Sequence, residues 1–389
     1  MKNKKIHAVS VALIAAASAV FVFLTGVLLP RAPVPVARAA YRFVNYEGKP
    51  PIHIYRSAQK SSSGVTPAQI KKAYGLPATG GTGTIAIIDA YDDPSIESDL
   101  AVFDKQYGLP ACTVKNGCLE KHMMSATTTK NGGWAVEISL DVEWAHAIAP
   151  NAKILLVEAK TQSGANLLAA VDYATGRKDV TAVSMSWGGE EFSDQLSYDA
   201  HLMPKANPGT IFFAASGDDG TGVSWPASSP NVIGVGGTSL TFSSKGALVS
   251  ETAWSGSGGG VSAYEKQPAY QKAYSIPKAG GMRAIPDVAY DADPSSGFSV
   301  YYSGGKTSGT VNGWYVVGGT SAGAPQWAAI RALGTVTLAK LYADKAASST
   351  LSYFRDITSG SNGTCKYYCA ARARYDYVTG LGSPQTVKF

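Results

Sequence analysis

Residues 317–327 read VGGTSAGAPQW and place a serine between a glycine-rich turn and the start of a helix. Gly318 and Gly319 allow a sharp, close-packed turn, and Pro325 is tolerated only in the first turn of a helix. Ser321 therefore stands at a helix N-terminus, where free N–H groups and the helix dipole favour developing negative charge. These features suit a nucleophilic serine, and the competing interpretation is that Ser321 only caps the helix. Whether the chain supplies a base for Ser321 decides between the nucleophile and the cap.

Short apolar runs alternate with helical segments along the chain. We expect buried strands at Thr84–Asp89, Lys153–Val157, Ala182–Trp187, Thr210–Ala215 and Asn231–Val235. We expect helices at Trp134–Ile148, Asn166–Ala174 and Gln326–Thr337. This alternation predicts an α/β fold with a doubly wound, mainly parallel sheet. Residues 255–320 are rich in Gly, Ser and Tyr and are predicted to form loops and irregular strands over that sheet.

The N-terminal segment has the features of a secretory signal. Residues 1–39 combine three early lysines, an apolar run to Leu29 and an Ala-Arg-Ala cleavage site, so we expect a signal peptide and a secreted protein without a membrane anchor. The apolar run is long enough to span a bilayer, and an uncleaved anchor is the alternative. Residues 40–64 are predicted to be a short irregular arm or vestigial propeptide, whose removal stays an open question, and residues 65–389 to be one domain.

Composition and cysteine spacing narrow the classes of function. The net charge of +6 is modest for 389 residues and no dense basic run appears, so we expect no nucleic-acid partner. The cysteines form two close pairs, Cys112/Cys118 and Cys365/Cys369, which in an exported protein predicts two small-loop disulfides. A zinc site built from all four thiolates is the alternative, although neither pair has the C-x2-C spacing typical of zinc.

The usual base for a nucleophilic serine is a histidine. None of the five histidines sits in a glycine-rich context after a strand, and we interpret them as surface or loop residues: His7, His53, His122, His146 and His201. The predicted helix Trp134–Ile148 instead carries Glu137 and Asp141 four residues apart, about 40° from each other on one face. In an apolar setting two such carboxylates titrate as a unit. A solvated acidic stripe is the alternative.

A third carboxylate follows a predicted strand. Residues 213–220 read FAASGDDG and put Asp218 in a glycine-bounded turn at the strand's carboxyl end, where α/β folds place ligands. An ordinary Asp-Gly turn is the alternative.

Three motifs follow one another along the chain: a Glu-x-x-x-Asp helix at residues 137–141, a Ser-Gly-Asp turn at residues 216–218, and a Gly-Thr-Ser turn at residues 319–321, called the elbow below. Their order resembles that of the sedolisin family of serine-carboxyl peptidases. Further similar stretches lie at residues 66–74, 184–188, 254–260 and 375–382, so the resemblance covers residues 65–389. It implies a subtilisin-like fold with helices on both faces of the sheet. It also implies a monomeric endopeptidase or tripeptidyl-peptidase that cleaves proteins or peptides in acid.

The resemblance implies a role for each motif residue. Ser321 is the nucleophile, Glu137 the general base, Asp141 its orienting partner and Asp218 the oxyanion donor. It also implies a supporting network behind Glu137, formed by Asp89 and Trp187. A glutamate base stays partly ionised in acid, where histidine is protonated, whereas Asp218 must be protonated in order to donate. We therefore expect a bell-shaped pH profile with its maximum below about pH 5–6.

The resemblance further implies one structural calcium ion. The side chains of Asp356 and Asp376 and the backbone carbonyls of Ile357, Arg372 and Arg374 supply oxygen ligands of the kind that Ca²⁺ prefers. The family has glycines where this chain has the two arginines, so two cations lie near the site and the loop needs ordinary φ angles. A polar surface loop is the alternative.

Two other classes of function compete with a serine-carboxyl endopeptidase. A secreted binding protein that has kept the fold needs no intact site, and a Ser-His-Asp hydrolase needs a histidine beside Ser321. The sequence leaves side-chain preference and natural substrate undetermined.

Overall fold

Seventeen strands and seven helices lie in the residues that the structure, a computed structural model, describes: 43–304, 312–347 and 353–388. The strands are β1 His53–Gln59, β2 Thr84–Ala90, β3 Leu119–Met123, β4 Lys153–Ala159, β5 Val180–Met185, β6 Gly189–Glu190, β7 Ile211–Ala215, β8 Ser224–Trp225, β9 Val232–Phe242, β10 Leu248–Ala253, β11 Gly260–Lys266, β12 Met282–Ile285, β13 Val288–Asp291, β14 Phe298–Tyr302, β15 Gly313–Gly318, β16 Phe354–Arg355 and β17 Ser383–Pro384. The helices are α1 Pro67–Ala73, α2 Ile96–Tyr107, α3 Gly132–Ile148, α4 Gly164–Thr175, α5 Ala269–Tyr274, α6 Gly323–Leu333 and α7 Leu338–Ala347. The predicted signal peptide lies outside the described residues.

The central sheet has eight strands in the order β10-β9-β7-β5-β2-β4-β3, with β13 beside β9. Every pair in it is parallel except β9–β10. Parallel strands need long crossovers, and the helices that supply them cover both faces of the sheet. The predicted doubly wound α/β fold is confirmed.

Alternate residues of the buried strands pack into two separate hydrophobic cores, because successive side chains of a strand point to opposite faces of the sheet. Ile85 and Ile87 of β2 join the core under α3 and α6, whereas Ala86 and Ile88 join the core under α4. All four side chains are fully buried. A strand buried on both faces reads as a continuous apolar run, which is why β2, β4 and β7 were predictable.

Several predicted element boundaries differ from the structure. The strand expected at Ala182–Trp187 is β5, which ends two residues earlier, and α6 stops before Gly334 rather than reaching Thr337. The stretch 255–320 is more regular than expected. Its segment β13 joins the central sheet beside β9, and β14 and β15 belong to a second, three-stranded sheet.

The N-terminal arm is part of that second sheet. Residues 43–64 were expected to be irregular, but β1 pairs antiparallel with β15, which pairs on its other side with β14. The expectation was wrong because the partner strand lies far away in sequence and leaves no local signal. The predicted helix start at Thr66 is present, with Thr66 and Gln69 forming a reciprocal capping box and Pro67 in the first turn.

Both predicted disulfides are present, Cys112–Cys118 and Cys365–Cys369, so the thiolates are not available for the alternative zinc site. None of the helices in residues 43–304, 312–347 and 353–388 has the length and apolar content needed to cross a bilayer.

Candidate active site

The serine of the glycine-rich elbow sits where sheet and helix meet. Ser321 lies in a short 3-10 turn, Thr320–Ala322, between β15 and α6, and its side chain is fully buried. Gly319 enters the turn at φ 121°, a region that favours glycine. Pro325 occupies the first turn of α6 as predicted. The elbow therefore presents Ser321 at the N-terminal end of a helix.

Helix α3 brings two acids beneath this serine. Asn131 caps it by accepting hydrogen bonds from the N–H groups of Gly133 and Trp134. Glu137 and Asp141 share one face of α3 and are fully buried, so the solvated-stripe interpretation is wrong. Their carboxylate oxygens, like the Ser321 hydroxyl, form no hydrogen bond of ordinary geometry within the described residues.

Burial controls the protonation of this acid cluster. Loss of hydration raises the pKa of Glu137 well above its ordinary value, and the nearby charge of Asp89 raises it further. The Ser321 hydroxyl and the Asp141 side chain act in the opposite direction and lower it. Burial and then Glu137 likewise raise the pKa of Asp141, which the hydroxyl of Ser186 lowers. The carboxyls therefore compete for protons as a coupled set.

Asp89 is the strand-end acid that belongs to this cluster. It lies near the carboxyl end of β2, is fully buried, and its pKa is raised by burial and then by the charge of Asp141. The two acids that follow are engaged elsewhere. Asp92 pairs with Lys121 at 2.7 Å, and Asp93 accepts from the N–H and the hydroxyl of Ser95.

Trp187 does not extend the network as expected. Its indole N–H donates to the backbone carbonyl of Ile88 at 2.9 Å rather than to a carboxylate. This hydrogen bond stabilises the end of β2 next to Asp89. The neighbouring Ser186, which sequence reasoning did not single out, donates to the carbonyl of Ser321 at 3.2 Å and links β5 to the elbow.

Asp218 is held against the elbow from the other side. Its Oδ1 accepts from both the N–H and the hydroxyl of Thr320 at 2.8 Å, and that hydroxyl accepts from the N–H of Gly217 at 3.1 Å. A Cβ on Gly319 would crowd the other oxygen, Oδ2. Burial raises the pKa of Asp218, while His53 and Thr320 lower it. The carboxyl is therefore fixed in orientation, with Oδ2 facing the elbow.

One histidine lies at the site, and sequence reasoning missed it. Nε2 of His53 lies 3.2 Å from Oδ2 of Asp218, so His53 approaches Asp218 and not the base position beneath Ser321. His146 is buried within α3, close to Asp104 and the carbonyl of Pro110, and is not the surface residue we expected. No sequence signal near His53 could have located it, because the arm reaches the site through long-range pairing with β15 and with Gly188.

An open cavity of about 430 Å³ adjoins the Asp218 turn. Its lining combines backbone from two glycine-rich loops with a few polar side chains: Glu191, Thr221, Gly222, Val223, Gly259, Gly260, Val261, Lys278 and Tyr368. This concave surface of mixed polarity lies next to the segment that follows Asp218.

In the predicted calcium loop, each of the two acids accepts a hydrogen bond from a backbone N–H of the loop. The N–H of Arg372 donates to Asp376 at 3.0 Å, and the N–H of Arg374 donates to Asp356 at 2.8 Å. Arg374 adopts φ 72°, so the expectation of ordinary φ angles was wrong at this position. Both guanidinium groups lie over tyrosine rings, that of Arg372 at 4.5 Å and that of Arg374 at 5.7 Å from the ring centroids.

Comparison with known proteins agrees with this geometry. Residues 123–345 match the subtilase family. The chain is 33% identical over 369 residues to kumamolisin of Bacillus sp. (strain MN-32), a match that covers 85% of this chain and 63% of kumamolisin. It is 35% identical over 215 residues to sedolisin of Pseudomonas sp. (strain 101), covering 47% of this chain and 35% of that protein.

A solved structure shows the same fold. Pseudomonas sedolisin, a serine-carboxyl proteinase complexed with two molecules of pseudo-iodotyrostatin, superposes with a TM-score of 0.69 at 27% identity, covering 84% of this chain and 96% of that one. The chain belongs to the subtilase family, and its fold is subtilisin-like. Within that family it is a member of the sedolisin group. It spans 63% of the length of kumamolisin.

A second group of buried acids lies on the β11 side of the molecule. Glu265 on β11 accepts from the amide of Gln195 at 2.7 Å, and the same amide donates to Glu191 at 3.1 Å. Burial, and then the charge of Asp199, raises the pKa of Glu265 from 4.5 to about 8. A raised pKa means that the folded protein binds the proton more tightly than the unfolded chain. Its stabilising effect is complete below pH 4.5 and is lost as the pH rises towards 8.

We therefore expect the protein to lose stability as the pH rises through neutrality. In a Ser321→Ala background, which prevents self-digestion, Glu265→Gln keeps the acceptor for Gln195 but removes this titration. The slope of the free energy of unfolding against pH, measured by urea unfolding between pH 5 and 7.5, should become smaller by up to about 1.4 kcal/mol per pH unit. An unchanged slope in Glu265→Gln would show that Glu265 is already ionised in the folded state.

Proposed function

We propose that this protein is a secreted serine-carboxyl endopeptidase that cleaves proteins or peptides in acid through an acyl-enzyme on Ser321. The observation that carries the proposal is the burial of Glu137 and Asp141 beneath Ser321, with Asp218 fixed on the other side of the elbow. The membership in the sedolisin group and the predicted signal peptide support it. The intact set of four residues argues against a binding protein that has merely kept the fold.

The proton of the nucleophile passes to a carboxylate. Glu137 in its ionised form accepts the proton of the Ser321 hydroxyl as the oxygen attacks the peptide carbonyl, and returns it to the leaving amine. In this mechanism Asp141 orients Glu137, and both Asp141 and Asp89 alter its pKa. No histidine is needed for this transfer, because His53 faces Asp218 instead.

The developing negative charge is stabilised by two donors. The N–H of Ser321 and the protonated Oδ2 of Asp218 both face the space in front of Gly319. An ionised Asp218 would repel the oxyanion, whereas a neutral carboxylic acid donates a hydrogen bond to it. Burial, which raises the pKa of Asp218, supplies the neutral form at acidic pH.

The N-terminal arm continues on both sides of the elbow. Residues 47–49 of the arm pass along one side of Ser321, and β1 continues on the other side against β15. Because an extended chain pairs with the domain on both sides of the elbow, we favour cleavage of internal peptide bonds over removal of short terminal peptides.

A calcium ion completes the proposal. Asp356 and Asp376, joined by the loop that carries Arg372 and Arg374, would hold it with their carboxylates, and the backbone carbonyls of Ile357 and the two arginines would add ligands. This set of hard oxygen donors fits Ca²⁺. Because both guanidinium groups rest on tyrosine rings, the carbonyls can turn to the ion without placing a side-chain cation on it. The ion would tie the C-terminal loop to the domain.

The nucleophile and the base are tested on a peptide substrate at pH 4. Ser321→Ala and Glu137→Gln should each lower kcat/KM about 10³-fold or more, because each removes one half of the proton transfer. Glu143→Gln is the matched control on the same helix, since Glu143 accepts from the N–H of Tyr301 at 3.1 Å and faces away from the serine. Full activity in Ser321→Ala, or no cleavage by the wild type anywhere between pH 3 and 7, would sink the proposal.

Asp218 gives a second test, on the shape of the pH profile. Asp218→Ala should lose about 10²–10³ in kcat, the usual effect of removing one oxyanion donor. Asp218→Asn keeps a donor, because Thr320 donates twice to Oδ1 and so places the amide N–H₂ at the Oδ2 position. Its activity should therefore persist at pH values where the wild type declines. An identical alkaline decline in Asp218→Asn and wild type would contradict the role of donor.

Calcium is tested by thermal unfolding in the Ser321→Ala background. Calcium at 100 times its Kd should add about 2.7 kcal/mol to the free energy of unfolding, and EDTA should remove this gain. Asp356→Asn should lose the response. Arg374→Gly should respond at lower calcium concentration, because a glycine relieves the backbone at φ 72° and removes a nearby cation. A calcium response that survives Asp356→Asn would place the ion elsewhere.

A further inference from the structure

Ionisable side chains extend across the central sheet from the acid cluster to the edge strand. Asp89 on β2 pairs with Glu158 on β4, and the strand beyond β4 is β3, the last strand of the sheet. On β3, Lys121 pairs with Leu156, two residues before Glu158. Because side chains two residues apart on a strand point to the same face, Asp89, Glu158 and Lys121 share one face of three adjacent strands. It is the face covered by α3, since Ile87 and Leu156 pack into the core under that helix.

Glu158 is fully buried, and its two oxygens have different surroundings. Oε1 accepts from the N–H of Asp93 at 2.9 Å and lies 3.1 Å from Nζ of Lys121. Oε2 is buried and forms no hydrogen bond within the described residues. When Glu158 is neutral, its proton sits on Oε2, because Oε1 already faces two donors. The proton is therefore on the oxygen that is free to pass it to another acid.

Asp89 connects Glu158 to the acids beneath Ser321. Neither oxygen of Asp89 forms a hydrogen bond within the part of the chain that the structure describes, and neighbouring strands lie only about 4.8 Å apart. Beyond the effect of burial, the charges of Asp141 and then Glu158 raise the pKa of Asp89. Asp89 in turn raises the pKa of Glu137, again after burial. A proton can therefore pass along a series of fully buried carboxyls: Glu158, Asp89, Asp141 and Glu137.

Lys121 brings the outer end of this series to the surface. Its side chain is 21% exposed and donates at 2.7 Å to Asp92, which is 16% exposed. Asp93, on the same loop as Asp92, is buried and accepts from the hydroxyl of Ser139 on α3 at 3.4 Å. Because Lys121 keeps Asp92 as a partner when it moves away from Glu158, that movement opens Oε1 of Glu158 to water.

The proposed mechanism needs a path of this kind. Glu137 acts as a base only after one proton has left the buried acids, and Ser321 is itself fully buried. A bound substrate covers the elbow, so protons have to enter and leave from another side. Burial raises the pKa of Glu158 to about 7, against the opposing effect of Lys121, so in acid Glu158 carries the proton that it passes on.

We propose that Glu158 carries protons between the acids beneath Ser321 and the solvent at the edge strand β3. The inference rests on the proposed peptidase function. Glu158 acts through Asp89 rather than on the substrate, so it is a positioning residue, and its role is to set how fast the base changes its protonation.

Each transfer takes up one proton and releases one. A half-turn of the carboxyl group of Glu158 carries its proton to the outer side, where a water molecule takes it up and becomes hydronium. The inner oxygen of the resulting carboxylate accepts a proton from Asp89, which is supplied again from Glu137 by way of Asp141. Glu137 is left as the carboxylate that serves as the base, and the reverse order returns its proton.

A pH jump tests this path. Enzyme held at pH 3, where Glu137 is protonated, is mixed in a stopped-flow instrument with an excess of fluorogenic peptide to give pH 4.5. Glu158→Gln keeps the acceptor for the N–H of Asp93 but has no carboxyl proton to transfer. The lag before steady hydrolysis should therefore be at least about tenfold longer in Glu158→Gln than in the wild type. Hydrolysis after the lag shows that the variant is folded.

Glu143→Gln is the matched control, because Glu143 is an equally buried acid on α3 that accepts from the N–H of Tyr301. Its lag should equal that of the wild type. Equal lags in Glu158→Gln and the wild type, or the same delay in Glu143→Gln, overturn the inference and leave the peptidase function standing. If Glu158→Gln hydrolyses nothing, Glu158→Asp should restore hydrolysis, and an inactive Glu158→Asp overturns the inference. A wild type that hydrolyses no peptide between pH 3 and 7 overturns the peptidase function as well.

Discussion

The site depends on keeping carboxylic acids out of water. Asp89, Glu137 and Asp141 lie at the junction of β2 and α3, where every neighbouring residue of both elements is buried. Removing the hydration of three such groups disfavours the charged form of each, so the cluster retains protons that exposed carboxyls would release. In the proposed mechanism, one carboxylate of this cluster ionises among protonated neighbours and serves as the base.

The doubly wound fold buries these acids and also places them next to the edge of the sheet where a ligand can bind. The carboxyl ends of parallel strands open onto one edge of the sheet, and three functional segments leave from it: Asp89 at the end of β2, Ser186 after β5 and Asp218 after β7. Helix α3 presents Glu137 from the covered face, and the elbow before α6 brings Ser321 from the second sheet. Rigid elements fix the buried acids, while turns carry Ser321 and Asp218.

The parts of this arrangement with a local signal could be predicted from the sequence. The spacing of Glu137 and Asp141 on an apolar helix, the Gly-Thr-Ser elbow and the acidic turn at Asp218 are each encoded within a dozen residues. The parts that arise from long-range pairing could not. His53 reaches Asp218 because β1 pairs with β15 across more than 250 residues, and the direction of the Trp187 indole depends on how β5 packs beside β2.

Asp218 contacts both the elbow that carries Ser321 and the N-terminal arm. In the proposed mechanism, the oxygen that donates to an oxyanion is the same Oδ2 that faces His53, so the two uses exclude each other. An imidazolium nearby favours the ionised acid and lowers the pKa of Asp218, whereas burial favours the neutral acid and raises it. The protonation of Asp218 therefore depends on the balance between its burial and the charge of His53, which the arm places beside it.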